Sequence, residues 1–118
     1  MKPIITFDEY TKVEVRVGQI VAATVPEGSE KLIHFSVDFG SEQRTIFAGI
    51  KEWYAPDELV GVTTAWVTNI PSKKTPFGES SGMLFACDTV DGSFGTAQGK
   101  KPYIVRIGEE VPLGSEFH

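Results

Sequence analysis

Val13-Glu14-Val15-Arg16-Val17-Gly18-Gln19-Ile20 is the stretch with the clearest structural signal in this 118-residue sequence. Its first five residues alternate apolar and polar side chains, as in a strand with one buried face. After Gly18 the apolar positions shift by one residue, to Ile20 and Ala22. A β-bulge produces such a shift and bends the strand. We therefore expect a long first strand with a bulge at Gly18, the kind of strand that a small closed barrel needs.

Further strands are predicted from alternating, β-branched or apolar segments at 33–39, 44–48, 62–69, 83–87 and 103–107. The last of these is short. A capping box at Thr6 and Glu9 predicts a helix near 7–11, and Pro56 begins a single helical turn. The glycine- and proline-containing segments 70–82 and 89–101 are predicted to be loops. The pattern indicates an all-β protein, a five-stranded OB-type barrel with short helices and a C-terminal extension.

The chain is short enough to be one domain, spanning 1–118. Its net charge of −5 argues against a strongly basic nucleic-acid binder, but residues 70–106 carry five basic and three acidic side chains. A local basic zone of this kind can still bind an anion. The single cysteine, Cys87, excludes an intramolecular disulfide, and its apolar neighbours predict a core position. With no signal-peptide core and no apolar run long enough for a bilayer, we expect a cytoplasmic protein away from membranes.

Two serine motifs invite a hydrolase interpretation. Gly78-Glu79-Ser80-Ser81-Gly82 matches the nucleophile-elbow pattern, with Asp88 or Asp91 and then His118 following in hydrolase order. An elbow needs a strand before the serine and a helix after it, whereas here a proline-rich loop precedes and a strand follows. His34, Ser36 and Asp38 share one strand face, but His34 and Asp38 would lie roughly 13 Å apart, too far for a relay or a shared metal. No catalytic residue, cofactor or metal site is predicted.

The segment Asn69-Ile70-Pro71-Ser72-Lys73-Lys74-Thr75-Pro76 is a better candidate for binding. Two prolines constrain it and two adjacent lysines charge it. Ser80, Ser81 and the backbone amides of Gly78 and Gly82 add donors for a phosphate or an exposed base. Such loops between barrel strands commonly carry ligand contacts. Trp53, Tyr54 and Trp66 are expected either to stack on bases or, more commonly, to pack in the core.

The sequence resembles the tRNA-binding domain found at the C-terminus of many methionyl-tRNA synthetases, in cytokine-like synthetase cofactors and in stand-alone tRNA-binding proteins. The resemblance runs in order through about residues 6–88. It is carried by Val15-Arg16-Val17-Gly18-Gln19-Ile20-Val21, Glu30-Lys31-Leu32, Val37-Asp38-Phe39-Gly40, Ala48-Gly49-Ile50, Tyr54-Ala55-Pro56-Asp57-Glu58-Leu59-Val60-Gly61, Asn69-Ile70-Pro71 and Gly78-Glu79-Ser80-Ser81-Gly82-Met83.

The resemblance implies an OB barrel that binds tRNA by its structure, at the elbow or another unpaired region, without catalysis. Asn69, Lys73, Ser80 and Met83 match the family's binding signature, and Lys31 and Arg44 match its recurrent basic positions. On electrostatic grounds we add Lys74, Lys100 and Lys101 to the predicted RNA-binding residues, and Ser81 as a neighbouring donor.

The ending of the chain resembles a second group. Ile104-Val105-Arg106-Ile107 and Val111-Pro112-Leu113-Gly114 are similar to the tail of stand-alone members, including CsaA-type export chaperones. Those proteins form homodimers through segments flanking the barrel, which implies a dimer role for 89–118. The implied partners are tRNA, a second copy of the chain and an aminoacyl-tRNA synthetase. The acidity of residues 1–69 keeps open a chaperone that binds unfolded or precursor peptides.

Overall fold

The computed structural model describes residues 1–88 and 101–118. Its helices are α1 (Phe7–Tyr10) and α2 (Pro56–Leu59), and its strands are β1 (Val15–Thr24), β2 (Ile33–Asp38), β3 (Gln43–Ala48), β4 (Thr63–Val67), β5 (Lys73–Thr75), β6 (Gly78–Ser80), β7 (Met83–Leu84), β8 (Ala86–Cys87), β9 (Tyr103–Ile104) and β10 (Glu116–Phe117). Neither helix of this part of the chain has the length and hydropathy to span a membrane.

Five antiparallel strands form the main sheet, in the order β3-β2-β1-β4-β7, with β10 added beside β1. The sheet curls so that its two ends approach each other. The Ser81 N–H, just after β6, donates to the carbonyl of Thr45 in β3 at 2.8 Å. The result is a nearly closed barrel, and the predicted all-β OB fold is confirmed.

The core lies where the inward faces of β1, β2, β3 and β4 meet. Trp66 is fully buried at its centre, and its indole N–H donates to the carbonyl of Gly18 at 3.0 Å. Phe35 packs edge-on against the indole at 5.9 Å between ring centroids. Trp66 is therefore a core residue, whereas Trp53 and Tyr54 are half-buried against the same cluster.

The bulge in β1 is not at Gly18, as predicted, but between Ile20 and Ala22, where the register with β2 shifts. Gly18 itself pairs regularly with Thr64. Its role is close packing, because a β-carbon there would lie 2.7 Å from a methyl group of Val37. The sequence shift thus indicated an inserted residue correctly but placed it too early.

The predicted capping box is confirmed, whereas the first predicted loop contains strands. The capping box of α1 is confirmed, since the Glu9 N–H donates to the Thr6 hydroxyl at 3.1 Å and the Thr6 N–H donates to the Glu9 carboxylate at 2.9 Å. The predicted loop 70–82 instead contains the antiparallel hairpin β5–β6. The predicted loop at 89–101 lies outside the described residues except for Lys101.

The predicted buried strand 83–87 is also wrong. It is two short pieces, because β7 pairs with β4 whereas β8 pairs with β9. Met83 and Phe85 are each about half exposed, and Cys87 is exposed rather than in the core. The β8–β9 pair forms a separate two-stranded sheet, so one of its faces is left open.

Candidate functional site

The hairpin β5–β6, residues 73–80, carries the predicted lysines, and both are exposed to solvent. Lys73 pairs with Ser80 and Lys74 with Glu79 across the two strands. The hydroxyl of Thr75 donates to the carbonyl of Gly78 at 2.7 Å and stabilises the turn. Both lysine side chains are exposed, and within residues 1–88 and 101–118 neither forms a salt bridge. Their charges are therefore available to an anion.

Ser80 fixes the base of this hairpin. It is buried, its hydroxyl accepts a hydrogen bond from the backbone N–H of Phe47 at 3.0 Å, and it donates to the carbonyl of Gly82 at 3.1 Å. Gly82 has a φ of 144°, and a β-carbon there would lie 2.9 Å from Ile46. A hydroxyl held in this way is not an exposed nucleophile, and a strand rather than a helix follows it. The geometry therefore does not support the hydrolase interpretation.

A cavity of about 380 Å³ lies between the hairpin and β3. It brings together four predicted site residues, Lys73, Lys74, Ser80 and Met83. Its other lining residues are mostly apolar or small: Leu32, Phe47, Gly49, Ile70, Pro71, Thr75, Pro76 and Gly82. An apolar cavity with lysines at its edge is suited to a flat, uncharged ring attached to an anionic backbone.

Phe47, which lines this cavity, belongs to an aromatic stack that the sequence did not reveal. His34 lies against Phe47 with ring centroids 4.9 Å apart and ring planes within 15° of parallel. The two residues are direct cross-strand partners on β2 and β3. His34 therefore stiffens this side of the cavity. The sequence signal for this stack was the alternation of β2 and β3, which places the two rings on the same face only once the strand register is known.

Arg44 and Ser81 lie on the opposite side of the hairpin, at a second cavity of about 590 Å³. The guanidinium of Arg44 binds the Glu42 carboxylate at 2.6 Å and donates to the carbonyl of Thr68 at 2.8 Å. A longer bond of 3.4 Å reaches the carbonyl of Ser81. Arg44 is thus held in place and its charge is partly neutralised by Glu42.

Asn69 acts as a clamp in the structure. Its side-chain oxygen accepts from the Glu14 N–H at 2.8 Å, and its amide donates to the carbonyl of Lys12 at 2.5 Å. These bonds tie the N-terminal segment to the chain entering the hairpin. Asn69 does not line either cavity beside the hairpin.

Glu14 extends this clamp into a charged network. Its carboxylate pairs with Arg16 at 3.0 Å and accepts a hydrogen bond from the hydroxyl of Thr68 at 2.5 Å. The hydrogen bond from Arg16, and next the one from Thr68, lower the pKa of Glu14 below its ordinary value. Arg16 also donates to the carbonyl of Gly114 at 2.7 Å, so the C-terminal tail joins the network.

The remaining predicted lysines are spread more widely. Lys31 is exposed and directly precedes Leu32 at the edge of the hairpin cavity. Lys101 lies two residues before β9 and lines neither cavity beside the hairpin, and its ammonium lies over the ring of Tyr54. Lys100 lies outside the described residues. Within the described ranges, no group of three His, Cys, Asp or Glu side chains is arranged to hold a metal ion.

Comparison with known proteins gives consistent results. Residues 15–116 match the model of the family described as "Putative tRNA binding domain". A methionine–tRNA ligase from Acidithiobacillus ferrooxidans is 43% identical over 90 residues, which are 76% of this chain but only 13% of that ligase. The chain therefore spans a small part of the length of such curated relatives.

Two solved structures extend the comparison. The crystal structure of a MetRS-related protein from Pyrococcus horikoshii superimposes with a TM-score of 0.87 at 36% identity, covering 99% of this chain and 100% of that one. The chaperone CsaA from Bacillus anthracis gives a TM-score of 0.79 at 19% identity, with 98% and 100% covered. At that identity the CsaA likeness shows a shared fold.

Proposed function

This chain belongs to the tRNA-binding domain family, and on that premise we propose that it is a non-catalytic protein that binds tRNA through an unpaired region and acts as a homodimer. The observation that carries the proposal is the hairpin cavity, where Lys73 and Lys74 border an apolar space of about 380 Å³. Proteins read RNA mainly at unpaired bases, which they stack or enclose, and through its backbone.

Different residues that line the cavity suit contacts with the RNA backbone and contacts with an unpaired base. We assign the ammonium groups of Lys73 and Lys74, which border this cavity and are exposed, to phosphates of the RNA. Met83, half exposed, and Phe47 offer a polarisable, apolar surface for a base. Because Ser80 is buried and Asn69 is engaged with the N-terminal segment, we assign them to positioning the hairpin rather than to contacting RNA.

Two lysines on an acidic chain make a weak site by themselves. With a net charge of −5, long-range attraction to RNA is poor, and each phosphate contact is sensitive to salt. Two linked copies of a weak site bind a single ligand far more tightly than one copy does, provided that both can engage it. A dimer would therefore offset the small number of cations.

The N-terminal segment supports a dimer on physical grounds. Helix α1 has no buried residue, and its Phe7 is 76% exposed. Ile5, Tyr10 and Val13 are also about half exposed. Phe117 of β10 is exposed and pairs with Val15, close to where this segment enters the barrel. A run of exposed apolar side chains is typical of a protein–protein contact, and we propose that a second copy covers it.

Light scattering of Phe7→Asp tests the dimer separately. We expect the wild type to have twice the mass of the chain and the variant to be monomeric, because a carboxylate cannot be buried unpaired in an apolar contact. Val60→Asp, on an exposed valine of α2's C-terminal end, is the matched control and should remain dimeric. A monomeric wild type would overturn the dimer without affecting the assignment of the hairpin.

Titration of tRNA at several salt concentrations tests the binding site. We expect the double variant Lys73→Ala/Lys74→Ala to bind more weakly, and the magnitude of its log–log salt slope to fall by about 0.7–0.9 for each lost phosphate contact. Lys2→Ala/Arg106→Ala carries the same change in net charge outside the hairpin cavities and should keep the wild-type slope. A wild type that does not bind tRNA at low salt would overturn the proposed function.

The apolar character of the hairpin cavity favours one alternative, a chaperone that holds extended peptides. Leu32, Ile70 and Phe47 could bury an apolar side chain as readily as a base. Competition separates the two functions. The peptide function replaces the RNA function if two results are found together. The chain binds a reduced, unfolded protein that unlabelled tRNA does not displace, and tRNA alone does not bind to the chain.

A further inference from the structure

We propose a second base-binding site at the start of β9, formed by Tyr103 and Lys101, which takes another unpaired nucleotide of the same RNA. The inference rests on the proposed RNA-binding function and extends it to a part of the surface outside the two cavities beside the hairpin. Its starting point is that Tyr103 is 49% exposed although it belongs to a paired strand. An aromatic ring held open to solvent on a fixed backbone is a stacking platform for a base.

One cation, the ammonium of Lys101, lies beside Tyr103, and Tyr54 fixes the chain there. The ammonium of Lys101 lies 4.9 Å from the centroid of the Tyr54 ring and 5.8 Å from that of Tyr103, so it lies near both rings. Tyr54 is held from both ends, because its ring packs on the core and its hydroxyl donates to the carbonyl of Pro102 at 2.7 Å. The cation is thus placed beside the stacking platform, where a phosphate flanking a stacked base would lie.

The platform has apolar neighbours on the same open face. Cys87 pairs with Tyr103 across β8 and β9, and Phe85 precedes this pair on the β8 side. Phe85 is 48% exposed and Val105 is 39% exposed. These side chains widen the surface on which a base can rest.

A further cavity of about 390 Å³ shares Phe47, Gly49 and Met83 with the hairpin cavity. Ala86, Asp88 and Pro102 also line it, and these residues alternate with Cys87 and Tyr103 along β8 and β9. The cavity therefore lies on the face of this strand pair opposite to the Tyr103 ring. The platform and the hairpin cavity would thus take separate nucleotides of the RNA.

Binding of unfractionated tRNA to variants of Tyr103 tests the proposal. We expect Tyr103→Ala to weaken binding roughly fivefold or more, the lower range for loss of one stacked base. Tyr103→Phe keeps the ring and should bind within about twofold of the wild type. Val60→Ala, which truncates an equally exposed apolar side chain elsewhere, is the control and should not change the affinity.

Two further measurements make the test independent of a single variant. Lys101→Ala should reduce the magnitude of the salt slope by about 0.7–0.9, as expected for one phosphate contact. Tyr103→Trp keeps a platform and adds a fluorophore, whose emission, after subtraction of the wild-type signal, should be quenched when tRNA binds. Circular dichroism melting confirms that each variant is folded.

The outcomes separate this inference from the proposed function. If Tyr103→Ala binds tRNA like the wild type while Lys73→Ala/Lys74→Ala binds weakly, the second site is overturned and the proposed function stands. If the wild type does not bind tRNA at low salt, both are overturned. If Tyr103→Ala weakens the binding of an unfolded peptide and leaves tRNA binding unchanged, the surface belongs to a peptide and the RNA assignment is wrong.

Discussion

The buried hydroxyl of Ser80 accepts a hydrogen bond from the backbone N–H of Phe47, 33 residues earlier in the chain, at 3.0 Å. This bond attaches the lysine-bearing hairpin to β3. We expect Ser80→Ala to lower the free energy of unfolding by about 1–3 kcal/mol, because it leaves a buried N–H without its partner. Urea denaturation followed by tryptophan fluorescence checks the loss.

Ser41→Ala is the matched control, since it makes the same truncation at an exposed turn position between β2 and β3. It should leave the urea midpoint almost unchanged. Equal midpoints for the two variants would show that the Ser80 hydroxyl does not hold the hairpin, and the positioning role assigned to it would fail.

Gly18 packs directly against three side chains of the core. A β-carbon at this position would be 2.7 Å from Val37, 2.8 Å from Phe39 and 2.9 Å from Trp66. Overpacking of this kind shifts backbone or forces side chains out of their rotamers, so Gly18→Ala should destabilise the fold by about 1–3 kcal/mol. Gly49→Ala is the control, because no atom lies within 4 Å of a β-carbon built there. Thermal melting of the two variants distinguishes a packing requirement from a general effect of losing glycine.

The barrel could be predicted from the sequence because its signals are local. The alternation at 13–17 and at 33–39 appears in the chain itself, whatever those strands pair with. The bulge position could not be read in the same way. The phase of the apolar residues shows that one residue is inserted, but the partner strand determines whether the extra residue is at Gly18 or between Ile20 and Ala22.

The sequence predicted which residues belong to the candidate site but not how the fold arranges them. Lys73 and Met83 were expected at the site because they match the family's binding signature, and Lys74 because of its charge. The hairpin that presents them was not expected, since its base is fixed by Ser80 and Phe47 from distant parts of the chain. Cys87 was expected in the core because its neighbours are apolar, yet an edge ribbon leaves one of its faces open to solvent.

The structural role of Asn69 could not be predicted from the sequence either, because its two hydrogen-bond partners lie 55 and 57 residues away along the chain. We expect Asn69→Ala to lose both hydrogen bonds and to loosen residues 6–13, which hydrogen exchange of their amides would show as faster labelling. Asn69→Asp keeps an acceptor for the Glu14 N–H but cannot donate to the Lys12 carbonyl, so its effect should be intermediate. Unchanged exchange in Asn69→Ala, together with weaker tRNA binding, would instead make Asn69 a direct RNA contact.

The Glu14 network predicts how stability depends on pH. Hydrogen bonds from Arg16, and next from Thr68, hold the pKa of the folded Glu14 carboxyl below its ordinary value of 4.5. The carboxylate therefore stabilises the fold above pH 4.5, and this contribution is lost as the pH falls through the lowered pKa. Glu14→Gln removes the charge at every pH, so it should melt below the wild type at neutral pH and approach it in acid.

Melting temperatures of the wild type and Glu14→Gln between about pH 7 and pH 3 measure this dependence. Glu27→Gln, at an exposed turn position, is the control and should follow the wild type at neutral pH. Because the Glu14 side chain is 30% exposed, the difference at neutral pH should be modest. A gap between wild type and Glu14→Gln that persists undiminished in acid would mean that the side chain stabilises the fold by packing or by neutral hydrogen bonds. The clamp that joins the N-terminal segment, β4 and the C-terminal tail would then not depend on the charge of Glu14.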